Sequence, residues 1–220
     1  MIEQGSPEWF ALRLGKVTAS RVADVTARTK TGWGASRQNY MAQLIAERLT
    51  GVAGDSYTNA AMQWGIDTEP QARAMYEFMT DVPVDEAGFV AHPNIAMSGA
   101  SPDGFVADTG LIEIKCPLTA THIDTLLGEP IAGKYITQMQ FQMACCGRAW
   151  CDFVSFDPRM PEYARLFIRR VARDDKMIVD LERAVIEFLG ELDEKTERVR
   201  RYGAPSKLKA DLTGSLLMAG

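Results

Sequence analysis

Residues 101–115 restrict the possible fold of this chain more than any other segment. They hold two turn-forming tripeptides, Pro-Asp-Gly and Asp-Thr-Gly, and end in the strand-like run 111–115. Short apolar runs separated by such turns predict a β-hairpin. Because side chains alternate along a strand, Glu113 and Lys115 should share one face, while the two isoleucines of the run point into the opposite packing layer.

The same hairpin carries a candidate metal site. Asp103 and Glu113 stand ten positions apart, so a hairpin whose first strand starts near Asp103 brings the two carboxylates together. Two carboxylates beside the backbone carbonyl of Ile114 form a hard oxygen site of the kind that Mg²⁺ prefers. Lys115 could then hold or deprotonate an attacking water. The bare pattern also fits an ordinary turn followed by a solvated strand face.

Helical patterns surround this region and predict an α/β fold. A short helix should begin after Ser6, a second should be capped by Ser20, and Pro70 should kink or break a helix beside Glu69. Further helices are expected at 36–49, 119–127, 134–146 and 174–201, and strands at 89–91, 96–98, 105–107, 111–115, 150–156 and 164–171, the first four of these strands forming one β-meander. We therefore expect a single domain over 1–203 and a flexible C-terminal tail over 204–220.

Composition excludes several classes of protein. The formal net charge of −5 argues against a passive nucleic-acid coat protein, although an enzyme with a local basic groove remains compatible with it. No apolar stretch is long enough for a membrane helix and no signal peptide is recognisable, so we expect a soluble cytoplasmic protein. The four cysteines and two histidines show no disulfide or zinc pattern, which favours free thiols and ordinary packing roles.

Other polar residues add to the carboxylate pair. Glu69 supplies a third carboxylate, a glutamine-rich helix follows the hairpin, and the N-terminal segment and its basic loop at 28–34 contain phosphate-binding side chain types. These residues are Gln138, Gln140 and Gln142 on the helix, and Arg13, Ser20, Arg28 and Lys30 nearer the N-terminus. Together with the hairpin they indicate phosphodiester hydrolysis.

The order of these motifs resembles one known family. The matching segments are Trp9 with Leu12-Arg13-Leu14-Gly15, Thr18-Ala19-Ser20, Trp64-Gly65 with Glu69, Ser101-Pro102-Asp103-Gly104, Glu113-Ile114-Lys115-Cys116-Pro117, Tyr135 to Gln140, and Asp157-Pro158-Arg159-Met160. They are similar to the lambda exonuclease and YqaJ-type viral recombinase family of the PD-(D/E)XK nuclease superfamily. The resemblance covers nearly the whole predicted domain and implies a restriction-endonuclease-like core, with a central mixed β-sheet flanked by helices.

The resemblance also implies roles for individual residues. Asp103, Glu113 and the Ile114 carbonyl would hold the divalent metal, Glu69 would assist, and Lys115 would activate water. The pocket for a terminal 5′-phosphate would be formed by Arg13, Ser20, Ser101 and Gln138, and Arg28 and Lys30 would line the DNA path.

The function implied by the resemblance is a Mg²⁺-dependent 5′→3′ exonuclease that acts on double-stranded DNA ends, with Mn²⁺ as a possible substitute metal. It would release mononucleotides and leave a 3′ single-stranded tail for recombination. The partners implied are two further copies in a ring-shaped homotrimer and a phage single-strand annealing protein, in the cytoplasm of a bacterial host. Two alternatives stay open: an endonuclease on the same fold, and a catalytically inactive DNA-binding module.

Overall fold

A computed structural model describes residues 2–54 and 60–202 of the chain. The helices are α1 (Pro7–Arg13), α2 (Val22–Val25), α3 (Ala35–Thr50), α4 (Ala60–Thr80), α5 (Thr119–Leu126), α6 (Gly133–Cys146) and α7 (Asp175–Tyr202). The strands are β1 (Val17–Thr18), β2 (Arg28–Thr29), β3 (Gly32–Trp33), β4 (Val84–Asp85), β5 (Val90–Ala91), β6 (Ser98–Ala100), β7 (Gly104–Val106), β8 (Gly110–Lys115), β9 (Trp150–Phe156) and β10 (Leu166–Ala172). The predicted tail, 204–220, lies outside the described residues.

The central sheet is mixed and carries the predicted hairpin. Its strand order is β10-β9-β8-β7-β4, with β8 and β9 parallel and the other neighbours antiparallel. Helix α4 covers one face through Ala72 and Tyr76, which pack with Ile112 and Ile114 of β8. Helix α6 covers the other face through Met139 and Met143. The predicted α/β class, with a central mixed sheet flanked by helices, is confirmed.

The predicted β-meander is wrong in its connectivity. Strands β5 and β6 leave the central sheet and form a second one with β1, in the order β1-β6-β5. The parallel pairing of Val17 with Ser98 and of Thr18 with Gly99 joins segments that are far apart in sequence. Local turn signals could not show this pairing, because β1 is a two-residue strand whose partner lies in a distant part of the chain.

Two other local predictions also need correction. Of the predicted kink or break at Pro70, the break is wrong: α4 is continuous through Pro70, and the buried side chains of Ala72 and Tyr76 hold its second half against the sheet. Ser20 does not cap a helix: it lies inside a short 3₁₀ turn, and α2 begins after Arg21 with no side-chain cap. The expected start of α1 is confirmed, since the Ser6 side chain accepts a hydrogen bond from Trp9 N.

The basic loop at 28–34 is a short β-hairpin of strands β2 and β3. The guanidinium of Arg28 lies 3.9 Å from the ring centroid of Trp33, and that of Arg37 lies 3.9 Å from the same centroid. Arg37 is buried and paired with Glu191 of α7, which ties the base of the hairpin to the helical layer. Arg28 is therefore held by stacking on a tryptophan that is itself anchored.

Candidate active site

Asp103 and Glu113 meet at the open end of the hairpin formed by β7 and β8. The antiparallel register pairs Gly104 with Ile112, so the next position outward sets Asp103 opposite Glu113. Asp103 Oδ2 accepts a hydrogen bond of 2.6 Å from the backbone N–H of Ile114. In an antiparallel strand the N–H and C=O of one residue point to the same side, so the Ile114 carbonyl also faces Asp103.

Gly104 lies where strand β7 comes very close to its neighbour β4. A Cβ atom at that position would lie 2.2 Å from Cγ1 of Val84 on the neighbouring strand β4, which is closer than real Cβ contacts. The glycine that follows Asp103 therefore allows strands β4 and β7 to pair closely. In the Pro-Asp-Gly sequence, the aspartate belongs to the candidate site and the glycine allows the close packing of the sheet.

Glu113 is fully buried and its two oxygens accept from separate donors. Gln138 Nε2 donates to Oε1 at 2.7 Å, and Gln142 Nε2 donates to Oε2 at 2.7 Å. The ammonium of Lys115 also contacts Oε1. Gln138 and Gln142 are four residues apart on α6 and therefore lie on one face of that helix, whereas Gln140 bonds to the backbone of Ala172 on another side.

The electrostatics of this cluster are those of a charged oxygen site. Burial and the neighbouring charge of Glu113 raise the pKa of Asp103 well above its ordinary value. Burial disfavours the charged form of Lys115, but Glu113 and Asp103 outweigh it and raise the pKa of the ammonium. A second positive charge placed between the carboxylates would relieve the repulsion that Asp103 feels. The donor set therefore fits a hard divalent cation held by two carboxylates, one carbonyl and water.

Glu69 lies near this cluster but points elsewhere. Its Oε1 accepts a hydrogen bond of 2.8 Å from Arg73, one turn along α4. Burial raises the pKa of Glu69, although the positive charge of Arg73 opposes the increase. The charge of Glu69 in turn contributes to the raised pKa of Asp103. No three His, Cys, Asp or Glu side chains of the described residues converge as a metal-binding group. Glu69 is thus placed beside the carboxylate pair, with Arg73 as a competing partner.

The predicted phosphate pocket is brought together only in part. Arg13 NH1 and Trp9 Nε1 both donate to Ser101 Oγ at 3.0 Å. Gln138 instead bonds to Glu113, and the Ser20 hydroxyl lies 3.4 Å from that of Thr18. Ser101 precedes Asp103 by two residues, so the same short segment of chain carries the partner of Arg13 and one carboxylate of the pair.

Arg13 differs from the ion-paired arginines of the protein. Burial lowers the pKa of its guanidinium to about 10, and the charges of Tyr40 and Glu47 oppose the decrease without forming a contact. Within the described part of the chain, no carboxylate oxygen lies within ion-pair distance of Arg13. A half-buried cation without a carboxylate partner carries a partly uncompensated desolvation cost, which an anionic ligand would offset.

The last segment of the motif series packs against an earlier one. Asp157 follows β9 directly and accepts from Thr119 Oγ1 at 2.7 Å and from Arg159 Nε at 2.7 Å. These bonds, led by those from Arg159, lower the pKa of Asp157 to about 2. The Arg159 guanidinium lies over the ring of Trp64 at 4.5 Å.

Sequence reasoning named Gln142 and Trp9 without giving either a separate role at the site, and it missed Arg73. The signal that could have given Gln142 its role was its spacing, four residues after Gln138 on the same helix. The cysteines are free, as predicted, and both histidines are buried and hydrogen-bonded, His92 to Glu182 and His122 to Ser155. Within residues 2–54 and 60–202, no helix is long and apolar enough to cross a membrane.

Comparison with known proteins places the chain in a family. It is similar to the crystal structure of an alkaline exonuclease, LHK-Exo, from Laribacter hongkongensis, with 56% identity, a TM-score of 0.83, and coverage of 89% of this chain and 97% of that one. The same exonuclease in complex with dAMP matches with a TM-score of 0.84 at the same identity and coverage. A phage related exonuclease from Haemophilus somnus 129PT shares the fold, with a TM-score of 0.70, 16% identity, and coverage of 84% of this chain and 96% of that one.

The family match extends over most of the chain. A search of curated proteins found no match. Residues 8–149 match the YqaJ-like viral recombinase domain, a range that includes the Arg13 cluster, Glu69 and the whole hairpin. The chain therefore belongs to the YqaJ-like viral recombinase family.

Proposed function

We propose that this protein is a Mg²⁺-dependent 5′→3′ exonuclease with a PD-(D/E)XK core that digests one strand of duplex DNA from its end. It releases mononucleotides and leaves a 3′ single-stranded tail for recombination by strand annealing. The observation that carries the proposal is the half-buried Arg13, which has no carboxylate partner among the described residues and donates to Ser101, two residues along the chain from Asp103. Such a site can bind a terminal phosphate and cut beside it.

The enzyme class rests on the family and on its solved relative. The chain is a deoxyribonuclease, in keeping with its high identity to an alkaline exonuclease. The complex of that relative with dAMP supports a mononucleotide product here. The duplex substrate, the 5′→3′ direction and the recombination role are carried by the resemblance of the motif series to the lambda exonuclease family.

The metal would be held by Asp103, Glu113 and the Ile114 carbonyl. A divalent ion there supplies charge stabilisation for the phosphoryl group and lowers the pKa of water. Mg²⁺ is the expected ion, because all three ligands are hard oxygens, and Mn²⁺ is a possible substitute. The protonated Lys115 acts beside them as a donor that holds the attacking water, while Gln138 and Gln142 orient Glu113. Glu69 assists from α4, where Arg73 holds it at the edge of the cluster.

The end-phosphate pocket yields a prediction that separates exonuclease from endonuclease. Linear duplex with 5′-phosphate ends should be digested about tenfold faster than duplex with 5′-hydroxyl ends, because a charge-assisted arginine contact favours the dianion. Arg13→Ala should remove most of this difference. The measurement is nucleotide release from the two substrates and from closed circular DNA, with and without Mg²⁺. Efficient cutting of circles, or equal rates on both ends, would favour the endonuclease alternative.

We further propose that three subunits form a ring around DNA. The net charge of −5 provides no general attraction for DNA, so long digestion requires enclosure or a local basic surface. Cyclic oligomers close through heterologous contacts, and the family resemblance indicates three subunits. Arg28 and Lys30 are exposed on the β2-β3 hairpin, where Arg28 is held by Trp33, and would line the DNA path.

The ring can be tested separately from catalysis. Light scattering should give the mass of three chains, and the double variant Arg28→Ala/Lys30→Ala should digest shorter tracts before release when a DNA trap is present. A stable monomer that digests long tracts would contradict enclosure. A trimer whose double variant digests tracts of unchanged length would contradict only the role of the hairpin.

The remaining partners follow from the proposed product. A 3′ single-stranded tail is the substrate of a phage single-strand annealing protein, which would act with this nuclease in the cytoplasm of a bacterial host. The gene would then belong to a phage or prophage. The intact set of Asp103, Glu113 and Lys115 argues against the inactive DNA-binding module.

A further inference from the structure

Trp9 makes two separate contacts with the proposed end-phosphate pocket. Its ring lies 4.0 Å from the guanidinium carbon of Arg13, and its Nε1 donates a hydrogen bond of 3.0 Å to Ser101 Oγ. Arg13 NH1 donates to the same oxygen at 3.0 Å. Trp9 and Arg13 lie four residues apart in the α1 region, so the first helix presents both to Ser101 from one side.

Counting donors and acceptors shows where the Ser101 proton must point. A serine hydroxyl has two acceptor lone pairs and a single proton to donate. An indole N–H and a guanidinium N–H are donors only, so Trp9 and Arg13 occupy both lone pairs of Ser101. The hydroxyl can therefore act toward any third group only as a donor. Among the described residues, no acceptor takes that proton.

The resulting pocket presents donors to an incoming ligand. Arg13 keeps N–H groups that are not used by Ser101, and Ser101 offers its proton in a direction set by the other two residues. A group that only accepts hydrogen bonds and carries negative charge satisfies both, whereas a 5′-hydroxyl does so less well because it has no charge to offer Arg13. A terminal phosphate monoester has this chemistry.

We infer that Trp9 is a positioning residue that makes Ser101 an obligate hydrogen-bond donor to the terminal 5′-phosphate. The inference rests on the proposed function, and it assigns to the indole N–H a part in end recognition that is distinct from its packing. Without that N–H, one lone pair of Ser101 is free, and the hydroxyl can rotate or accept from water. The pocket then loses its fixed preference for an acceptor.

The test compares binding of 5′-phosphorylated and 5′-hydroxyl duplexes in EDTA, where no cleavage occurs. Trp9→Phe keeps an aromatic ring for Arg13 but removes the N–H, and should lower the ratio of the two affinities about fivefold. Trp150→Phe is the matched control: Trp150 Nε1 also donates to a hydroxyl, that of Thr109 at 3.2 Å, and its ring also lies under an arginine, Arg170 at 3.4 Å. The control should leave the ratio unchanged.

A double-variant cycle shows whether Trp9 acts through Ser101. In the Ser101→Ala background, the further change Trp9→Phe should no longer alter the ratio, because the hydroxyl it orients is absent. A ratio in Trp9→Phe equal to that of the wild type, or an effect of equal size in the Ser101→Ala background, would overturn the inference. Wild-type protein that binds both ends equally would contradict the end-phosphate pocket itself. Circular dichroism melting of each variant identifies any that fail to fold, and Trp9→His, which restores a ring N–H, should then recover part of the ratio.

Discussion

Asp103→Asn is expected to reduce Mg²⁺-dependent cleavage by at least about a thousandfold while leaving the fold intact. The asparagine keeps an oxygen for the Ile114 N–H but loses the negative charge that a divalent ion needs. Because burial and Glu113 disfavour the charged carboxylate, the neutral side chain should also leave thermal stability in EDTA equal to or above that of the wild type. Loss of activity without loss of stability distinguishes a catalytic group from a structural one.

The control for this variant is in the same hairpin. Asp108→Asn removes an exposed carboxylate from the β7-β8 turn and should change neither activity nor melting temperature. Glu113→Ala and Lys115→Ala should lose cleavage to a similar degree, measured as nucleotide release from linear duplex. Cleavage at the wild-type rate by Asp103→Asn or by Lys115→Ala would refute the role given to that residue.

Asp152→Ala should lower the free energy of unfolding by about 3 kcal/mol, because it leaves a buried tyrosine hydroxyl without its acceptor. Asp152 is buried on β9, accepts from Tyr76 Oη at 2.8 Å, and pairs with Arg170 through two bonds of 2.9 Å. Burial, together with the hydrogen bond to Asp152 and the charge of Asp152, raises the pKa of Tyr76. This cluster ties α4 to the sheet on the face opposite Glu113.

Urea unfolding measures this prediction. Arg170→Ala should have a much smaller effect, because the arginine side chain is 57% exposed and water replaces its bonds. Tyr76→Phe should fall between the two, since it removes the hydroxyl together with the need for an acceptor. If Asp152→Ala unfolds at the same urea concentration as the wild type, the contacts of Asp152 with Tyr76 and Arg170 do not stabilise the fold.

The parts of the fold that could be predicted were those determined by short-range pattern. The apolar spacing of α3 and its left-handed stop at Gly51 are visible in the sequence, and both are present. The alternation along β8 correctly separated Glu113 from Ile112 and Ile114. Each of these features depends only on neighbours within a few residues.

The parts that could not be predicted depend on distant contacts. The parallel pairing of β1 with β6 is invisible to turn signals, and the continuity of α4 through Pro70 is decided by packing of Tyr76 on the sheet. In the site, Gln142 is recognisable as a partner of Glu113 only once α6 is known to lie over β8. These features were missed because they depend on how distant helices and strands pack together, which a single sequence does not show.

The proline within α4 also divides the helix energetically. Pro70 has no N–H to bond to the carbonyl of Ile66, so one rung of the helical ladder is missing. Thr68, Ala72 and Tyr76 are the buried residues of α4, whereas Ile66 in its first two turns is 61% exposed. Local unfolding is cheapest where buried contacts are few, so the first two turns of α4, residues 60–67, open at a lower free energy than the turns after Pro70. Glu69 stands at this boundary, and its carboxylate accepts from Arg73, which lies in the half of the helix that packs on the sheet.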